Sequence, residues 1–292
     1  MSSKWGRIDQ IKHAVRAYSN MVADNAMYGN APSRGIGRGH DFADLREYTR
    51  TDDARDIDWK SSLRTGTLLV KQYTVEKERR VLIACANGTN MDADTSIGED
   101  KADLMAAIAG SIAYLVRGYG DRFAFMFAGQ HGLVMSEFRN GMEFLERNLA
   151  ALEQSIRSET YWKAADMARH ISLQVQKKVV VILISDMDGV AAIPEKTLKR
   201  LAGEDDFRIV LIEDAYLFEE GAFDMELGEH LPYFTSKKHM RLLKMEIDSR
   251  QEQLNSMKTL LKRCGVPFVS IKSQDEIPEM LLDLFTDKRI RR

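Results

Sequence analysis

Four aspartates and a lysine crowd into the segment Asp52-Asp-Ala-Arg-Asp-Ile-Asp-Trp-Lys60. Its end, Asp58-x-Lys60, follows Asp52, Asp53 and Asp56, a combination that metal-dependent nucleases use. Metal ions held by carboxylates can activate water for attack on a phosphodiester. Arginines interleave with these aspartates and would neutralise them, and the chain has no basic excess to hold nucleic acid. No predicted pair of strands presents Asp58 and Lys60 into a cleft, so a nuclease stays the second alternative.

The charged block around this segment, residues 38–64, supports two non-catalytic interpretations. Ile57 and Trp59 alternate with charged neighbours, which predicts an apolar side and an ionic side. A salt-bridge network could then hold the block on a sheet, with Trp59 as its anchor. The other interpretation is a docking surface, because arginine and tryptophan are common interface anchors. The docking candidates are Arg46, Asp53, Arg55, Asp58 and Trp59.

A second candidate site follows an apolar strand. Residues 81–85 have the composition of a fully buried strand, and a polar loop, Ala86-Asn-Gly-Thr-Asn-Met91, comes next. Open α/β sheets place ligands beyond the carboxyl ends of such strands. Ser185-Asp186 ends another apolar run in the same way. Gly88 and Asn90 could instead form a turn that caps the following helix, and Asp186 could cap its own helix or bind loop amides.

Alternating strand and helix patterns from residue 79 onward predict the elements that position these residues. Strands are predicted at 80–86, 122–128, 178–185, 207–212 and 266–271, with a short antiparallel strand near 131–136. Helices are predicted at 100–118, 141–153, 161–174, 194–202, 238–263 and 275–285. The pattern predicts an α/β fold with a mostly parallel central sheet and helices on both faces.

The first part of the chain has a different organisation. An apolar stripe from Ile8 to Val22 predicts a helix, Gly35-x-Gly37-x-Gly39 is interpreted as a flexible connector, and residues 67–75 alternate as a strand. We therefore divide the chain into an N-terminal extension, residues 1–78, and an α/β domain, residues 79–292.

Composition narrows the class of protein. The chain has 292 residues, is 44% hydrophobic and can bury a substantial core. Its net charge of −2 favours neither nucleic acid nor an anionic membrane. Cys85 and Cys264 stand in apolar runs and are expected to be buried free thiols. With no signal peptide and no apolar run of about 18 residues, we expect a soluble cytoplasmic protein without an integral membrane segment.

Two passages together resemble one known family. The first joins Arg38-Gly-His-Asp-Phe-Ala-Asp-Leu-Arg-Glu-Tyr48, the 52–60 segment and Leu68-Leu-Val-Lys-Gln-Tyr73, and the second is the strand and loop at 80–91. They are similar to the bacterial domain of unknown function 58 family, whose members carry a von Willebrand factor A-like domain. The likeness covers about residues 30–290. It implies a Rossmann-like von Willebrand A fold, no established enzymatic activity and frequent partnership with MoxR-type AAA+ ATPases.

The resemblance also implies a metal-ion-dependent adhesion site, here in degenerate form. Von Willebrand A domains often hold Mg²⁺, a hard ion that prefers six oxygen ligands, through Asp-x-Ser-x-Ser after the first strand. Aligned on Met91, this chain has Ala86 in place of the aspartate, and Gly88 and Asn90 in place of the serines.

Two later loops complete that site in the family, with a threonine and an aspartate, and the partner protein adds a carboxylate. Thr160 and Asp186 match these positions and are the residual metal candidates. With so few oxygen ligands left, we expect no cofactor, and Mg²⁺ binding remains the first alternative.

These observations lead to one functional hypothesis. We expect a non-enzymatic adaptor that contacts a protein, by resemblance a MoxR-type AAA+ ATPase, and not nucleic acid. The expected contact residues of the α/β domain are Asn87, Gly88, Asn90, Thr160 and Asp186, and the charged block extends them.

Overall fold

The structure is a computed structural model, and two compact units make up the chain. It describes residues 8–16, 35–37, 41–49, 54–75, 78–87, 91, 94–95, 98–130, 132–158, 161–175, 179–204, 206–213, 223–224, 229–230 and 237–286. The small unit is Asp24–Glu78, and the sheet unit joins Met1–Ala23 to Arg79–Arg292. Each unit is described by itself.

Helices and strands alternate through most of the described chain. The helices are α1 (8–16), α2 (Trp59–Thr65), α3 (Lys101–Gly118), α4 (Met142–Ile156), α5 (Ala164–Gln174), α6 (Met187–Ala191), α7 (Glu195–Glu204), α8 (Lys237–Cys264) and α9 (Ile277–Thr286). The strands are β1 (Gly35–Gly37), β2 (Asp41–Glu47), β3 (Leu69–Val75), β4 (Arg80–Cys85), β5 (Arg122–Gly129), β6 (Gly132–Met135), β7 (Val180–Asp186), β8 (Asp206–Ile212), β9 (Phe223–Asp224), β10 (Glu229–His230) and β11 (Phe268–Ile271).

A six-stranded sheet forms the centre of the sheet unit, in the order β11-β8-β7-β4-β5-β6. Its strands run parallel except β6, which is antiparallel to β5. Strand β4 lies between β5 and β7, so that Ile83 pairs with Phe125 on one side and with Ile182 on the other. The chain leaves β4 toward one neighbour and later returns to the other, which makes the carboxyl ends of β4 and β7 the switch point of the sheet.

Helices cover both faces of this sheet because alternate side chains of its apolar strands point to opposite faces. Val81, Ile83 and Cys85 belong to the core that includes buried residues of α1, α3, α4 and α9. Leu82 and Ala84 belong to the core that includes buried residues of α5, α6, α7 and α8. The mostly parallel sheet with helices on both faces, typical of Rossmann-like folds, is as predicted.

Helix α1 packs in the sheet unit. Its apolar residues Ile8, Ile11 and Val15 are buried, and Ile11 lies against Gly110 in the middle of α3. A Cβ atom on Gly110 would overlap the end of the Ile11 side chain, so a larger residue there would force that side chain to move. Helix α1 thus belongs to the same compact unit as the six-stranded sheet. The division predicted from the sequence placed it in the N-terminal extension, residues 1–78.

The small unit is built on β3, which pairs antiparallel with β1 and with β2. Ile57 and Val70 are buried and form an isolated antiparallel β-bridge, which joins the residues before α2 to β3. The Ser62 hydroxyl donates to the carbonyl of Asp58 (2.7 Å) and accepts from the amide of Leu69 (2.8 Å), which ties α2 to the start of β3.

Three predictions for the small unit are wrong. Gly35–Gly37 form strand β1 rather than a connector, and strand β2 was not predicted. The alternation proposed through Trp59 fails because Asp58 begins helix α2, whose end is fixed by Gly66 in the left-handed conformation. Trp59 is 61% exposed and does not anchor the block. Residues 17–22 of the first predicted helix lie outside the described residues.

Two further findings concern the membrane-spanning capacity of the helices and the state of the two cysteines. Within the described ranges, no helix combines the length and the apolar character needed to cross a bilayer. Cys85 and Cys264 are buried and free, as predicted. Burial raises the pKa of the Cys85 thiol, which keeps that group protonated.

Candidate functional site

The carboxyl end of β4 is bounded by backbone hydrogen bonds on two sides. The amide of Ala86 donates to the carbonyl of Ile184 in β7 (3.0 Å), and the amide of Trp162 donates to the carbonyl of Asn87 (3.0 Å). Ala86 and Asn87 are buried, whereas Tyr161 is 39% exposed. The segment that leads into α5 therefore lies against the end of β4 and presents Tyr161 beside it.

Asp186 ends β7 and caps helix α6. Asp186 is only 4% exposed, and its carboxylate accepts from the amide of Gly189 (2.9 Å) and from the hydroxyl of Ser185 (3.3 Å). A Cβ atom on Gly189 would overlap both of these side-chain oxygens, so a larger residue there would displace them from the cap. The prediction that Asp186 caps its own helix is confirmed.

Three residues of this site, Tyr161, Asp188 and Arg250, were not predicted from the sequence. Arg250 of α8 donates through one guanidinium nitrogen to both carboxylate oxygens of Asp188, at 3.1 and 3.2 Å. The pair is partly exposed, with 37% of the Arg250 side chain and 44% of the Asp188 side chain accessible. The two residues are 62 positions apart, and no local pattern signals such a contact. We call Ala86, Asn87, Tyr161, Asp186, Asp188 and Arg250 the strand-end site.

The start of α3 is anchored at the same edge of the sheet. The Glu99 carboxylate accepts from the Ser273 hydroxyl and the Gln274 amide, each at 2.9 Å, and so holds the turn after β11. Asp100 caps α3 through the amide of Asp103 (3.0 Å), and Lys101 is buried in the first turn. These contacts fix the edge in place.

The oxygen donors that the structure describes do not fit Mg²⁺. Ala86 offers a methyl group at the position where the adhesion-site pattern expected from the resemblance has its first carboxylate, and Asp186 already accepts from a backbone amide and a hydroxyl. Among the described residues, no group of three or more histidine, cysteine, aspartate or glutamate side chains could hold a metal ion. Mg²⁺ needs near-octahedral oxygen coordination, and these donors do not supply it.

Asp58 and Trp59 form a separate candidate site in the small unit. The Asp58 carboxylate accepts from the amide of Ser61 (3.0 Å) and lies 3.7 Å from the Lys71 ammonium. The Ser61 amide and the Lys71 charge hold the pKa of Asp58 below its ordinary value. Lys60, the other residue of the Asp-x-Lys pair, is exposed on α2. Asp58 therefore works as a helix cap with a cationic neighbour.

The remaining predicted residues are only partly described. Arg46 is half-buried and donates to the carbonyl of Glu47 (3.0 Å), and Arg55 is exposed. Asp53, Gly88, Asn90 and Thr160 lie outside the described residues. Of the predicted contact residues in the sheet unit, the structure therefore brings Asn87 and Asp186 to the same edge, at the ends of adjacent strands.

Fold and site together define an α/β protein with a mostly parallel sheet and a polar site at its switch point. The family described as Protein of unknown function DUF58 matches residues 44–249, and the chain belongs to it. It is also 26% identical, over 135 residues, to uncharacterized protein Rv1480 of Mycobacterium tuberculosis (strain ATCC 25618 / H37Rv) and to uncharacterized protein Mb1516 of Mycobacterium bovis (strain ATCC BAA-935 / AF2122/97). Each match covers 45% of this chain and 42% of the relative, so the chain spans less than half the length of these relatives.

Proposed function

We propose that the chain is a non-enzymatic cytoplasmic adaptor with a von Willebrand A-like domain that binds a MoxR-type AAA+ ATPase through its strand-end site, without a metal ion. The main support for the proposal is the hydrogen bonding and the surroundings of the Asp186 carboxylate. Its carboxylate caps α6 and faces no second acidic ligand at Ala86, so the site is suited to recognition rather than metal chemistry.

The exposed groups of the strand-end site support binding to a protein. Tyr161 combines an apolar ring with a hydroxyl, and tyrosine and arginine are enriched among residues that dominate interface energies. Arg250 uses one guanidinium nitrogen for Asp188, and a guanidinium carries five N–H donors. A partner carboxylate or carbonyl could therefore be held beside the existing ion pair.

Binding kinetics with a purified MoxR-type ATPase from the same genome test the proposal. The double variant Tyr161→Ala/Arg250→Ala should bind at least about tenfold more weakly, the effect of losing about 1.4 kcal/mol at an interface hot spot. Arg139→Ala is the matched control, because Arg139 is also an exposed, ion-paired arginine but lies beside the amino end of β5. Equal binding of both variants, or no binding of the wild-type chain, would refute the adaptor role.

Calorimetry on the chain alone tests the metal-free part of the proposal. Titration with Mg²⁺ or Mn²⁺ should show no binding in the micromolar range. Micromolar binding that Asp186→Ala abolishes would establish the metal-dependent alternative instead.

A further inference from the structure

Helix α2 presents its large apolar residues to solvent. Among its seven residues only Ser62 is buried, while Trp59 is 61% and Leu63 is 85% exposed. Residues four apart lie on the same side of a helix, so these two side chains are neighbours. Leu68, just beyond the helix, is 46% exposed.

Among the described residues of the small unit, polar contacts rather than these side chains hold α2. The helix is fixed by the Asp58 cap, by Gly66 at its end and by the two hydrogen bonds of the Ser62 hydroxyl. A short helix that is attached through polar contacts and turns a tryptophan and a leucine outward has the form of a contact surface.

Positive charge accompanies the apolar pair. Lys60 and Arg64 are exposed and four residues apart, and α2 contains no acidic residue. The carboxylate of Asp58, the residue just before the helix, already accepts from the Ser61 amide and lies 3.7 Å from the Lys71 ammonium. We call Trp59, Lys60, Leu63 and Arg64 the α2 face.

We infer that the α2 face docks a segment of a protein partner that carries a large apolar anchor flanked by carboxylates. The inference rests on the proposed adaptor role and adds the chemistry of the partner segment. The apolar anchor would cover Trp59 and Leu63, and the carboxylates would pair with Lys60 and Arg64.

Charge does not favour a second copy of the chain, a membrane or nucleic acid at the α2 face. A two-fold contact between two copies would place Lys60 and Arg64 of each copy against like charges. The net charge of −2 gives the chain no general attraction to nucleic acid or to an anionic membrane, and two apolar side chains bury too little area to anchor a helix in a bilayer.

Photo-crosslinking identifies the segment that contacts α2. Benzoylphenylalanine replaces Leu63 in the full-length chain, which is irradiated in its native host, and the crosslinked peptide is sequenced by mass spectrometry. The expected product is a segment with net negative charge and a leucine, isoleucine, methionine or aromatic residue at the crosslink. A product with a second copy, a lipid, a nucleic acid or a basic segment, or no product at all, would overturn the inference.

Affinity of the identified segment, made as a synthetic peptide, completes the test. Leu63→Ala and Lys60→Glu/Arg64→Glu should each weaken binding to the full chain about tenfold or more. Leu173→Ala, at another exposed leucine, and Lys196→Glu/Arg200→Glu, an exposed pair with the same spacing on α7, are matched controls that should bind like the wild type. Unchanged binding by the α2 variants would contradict the inference.

Failure of the two proposals can be told apart. If the Tyr161→Ala/Arg250→Ala variant loses ATPase binding but the Leu63 crosslink yields no acidic, apolar segment, the adaptor role stands and the α2 inference fails. If the crosslinked segment is acidic and apolar but the wild-type chain does not bind the ATPase, the α2 inference stands and the ATPase assignment fails.

Discussion

At the scale of single residues, the aspartates of both sites stabilise the helices that begin beside them. Asp186 and Asp58, the predicted contact aspartates that the structure describes, each cap a helix. A residue's place at a strand end could be predicted from the apolar run before it, which is why Asp186 was found. Arg250 could not be predicted, because its partner is 62 residues away in the chain.

The Asp58 cap makes the stability of α2 sensitive to acid. The pKa of Asp58 is lowered in the folded state, so its carboxylate stabilises the helix above the unfolded pKa of about 3.9. That contribution disappears as the pH falls through the lower folded pKa. Hydrogen exchange of a peptide covering α2, corrected for intrinsic rates, should lose protection in this acid range in the wild type.

Two substitutions separate the charge of Asp58 from its hydrogen bond. Asp58→Asn should keep most of the α2 protection at pH 7 and lose its acid dependence, because asparagine also caps helices. Asp58→Ala should lose protection throughout. Equal protection of all three proteins at pH 7 would show that the cap does not hold α2.

A buried arginine provides a second prediction at this scale. The Arg208 side chain is 5% exposed, binds the Asp206 carboxylate through two nitrogens at 2.8 and 2.7 Å, and also donates to the carbonyl of Leu284 in α9. Arg208→Leu should cost about 3 kcal/mol in urea unfolding, because it leaves a buried carbonyl and a half-buried carboxylate without a donor. Arg139→Leu, which breaks an exposed pair with Glu137, should stay within about 0.5 kcal/mol. Equal costs for the two variants would contradict this account.

At the scale of elements, periodicity predicted the sheet unit well and the small unit poorly. Long apolar runs and helical stripes identify β4, β7, α3 and α8 because burial on one or both sides dictates their residue types. Strand β2 is rich in charge and β1 is mostly glycine, so neither carries the alternation that marks a half-buried strand. Helix α2 lacks the usual apolar pattern for another reason, because its apolar residues face solvent rather than a core.

Gly110 tests how α1 is held. Gly110→Val should destabilise the chain by about 1–3 kcal/mol in urea unfolding, because its side chain would push Ile11 away from α3. Gly118→Val is the control, since a Cβ atom at the last residue of α3 meets nothing within 4 Å. An effect at Gly118 as large as that at Gly110 would mean that helix propensity, and not the contact with α1, sets the cost.

At the scale of the whole molecule, the division predicted from the sequence and the two compact units assign helix α1 differently. The chain changes character near residue 79, where strands and helices begin to alternate, and the compact units also meet there. Helix α1 lies far from α3 in sequence, and its stripe alone could not reveal which surface it covers.

A fragment comparison tests this arrangement. Residues 79–292 without α1 should be less stable than the full chain by about 3–8 kcal/mol. Burial of Ile8, Ile11 and Val15 contributes about 1.5–3 kcal/mol for each side chain, and a compact unfolded state reduces the sum by about 10–40%. A synthetic peptide of residues 1–23 added to the fragment should restore part of the loss. A fragment as stable as the full chain, with no response to the peptide, would show that α1 does not belong to the sheet unit.

Hydrogen–deuterium exchange of the full chain, with and without its MoxR-type ATPase, tests the central claim most directly. The account predicts slower exchange in peptides covering residues 161–163, helix α6 and the part of α8 around Arg250, all of which meet at the strand-end site. Protection confined to the opposite edge, around Asp121 and Arg139, or no protection in the sheet unit, would contradict it.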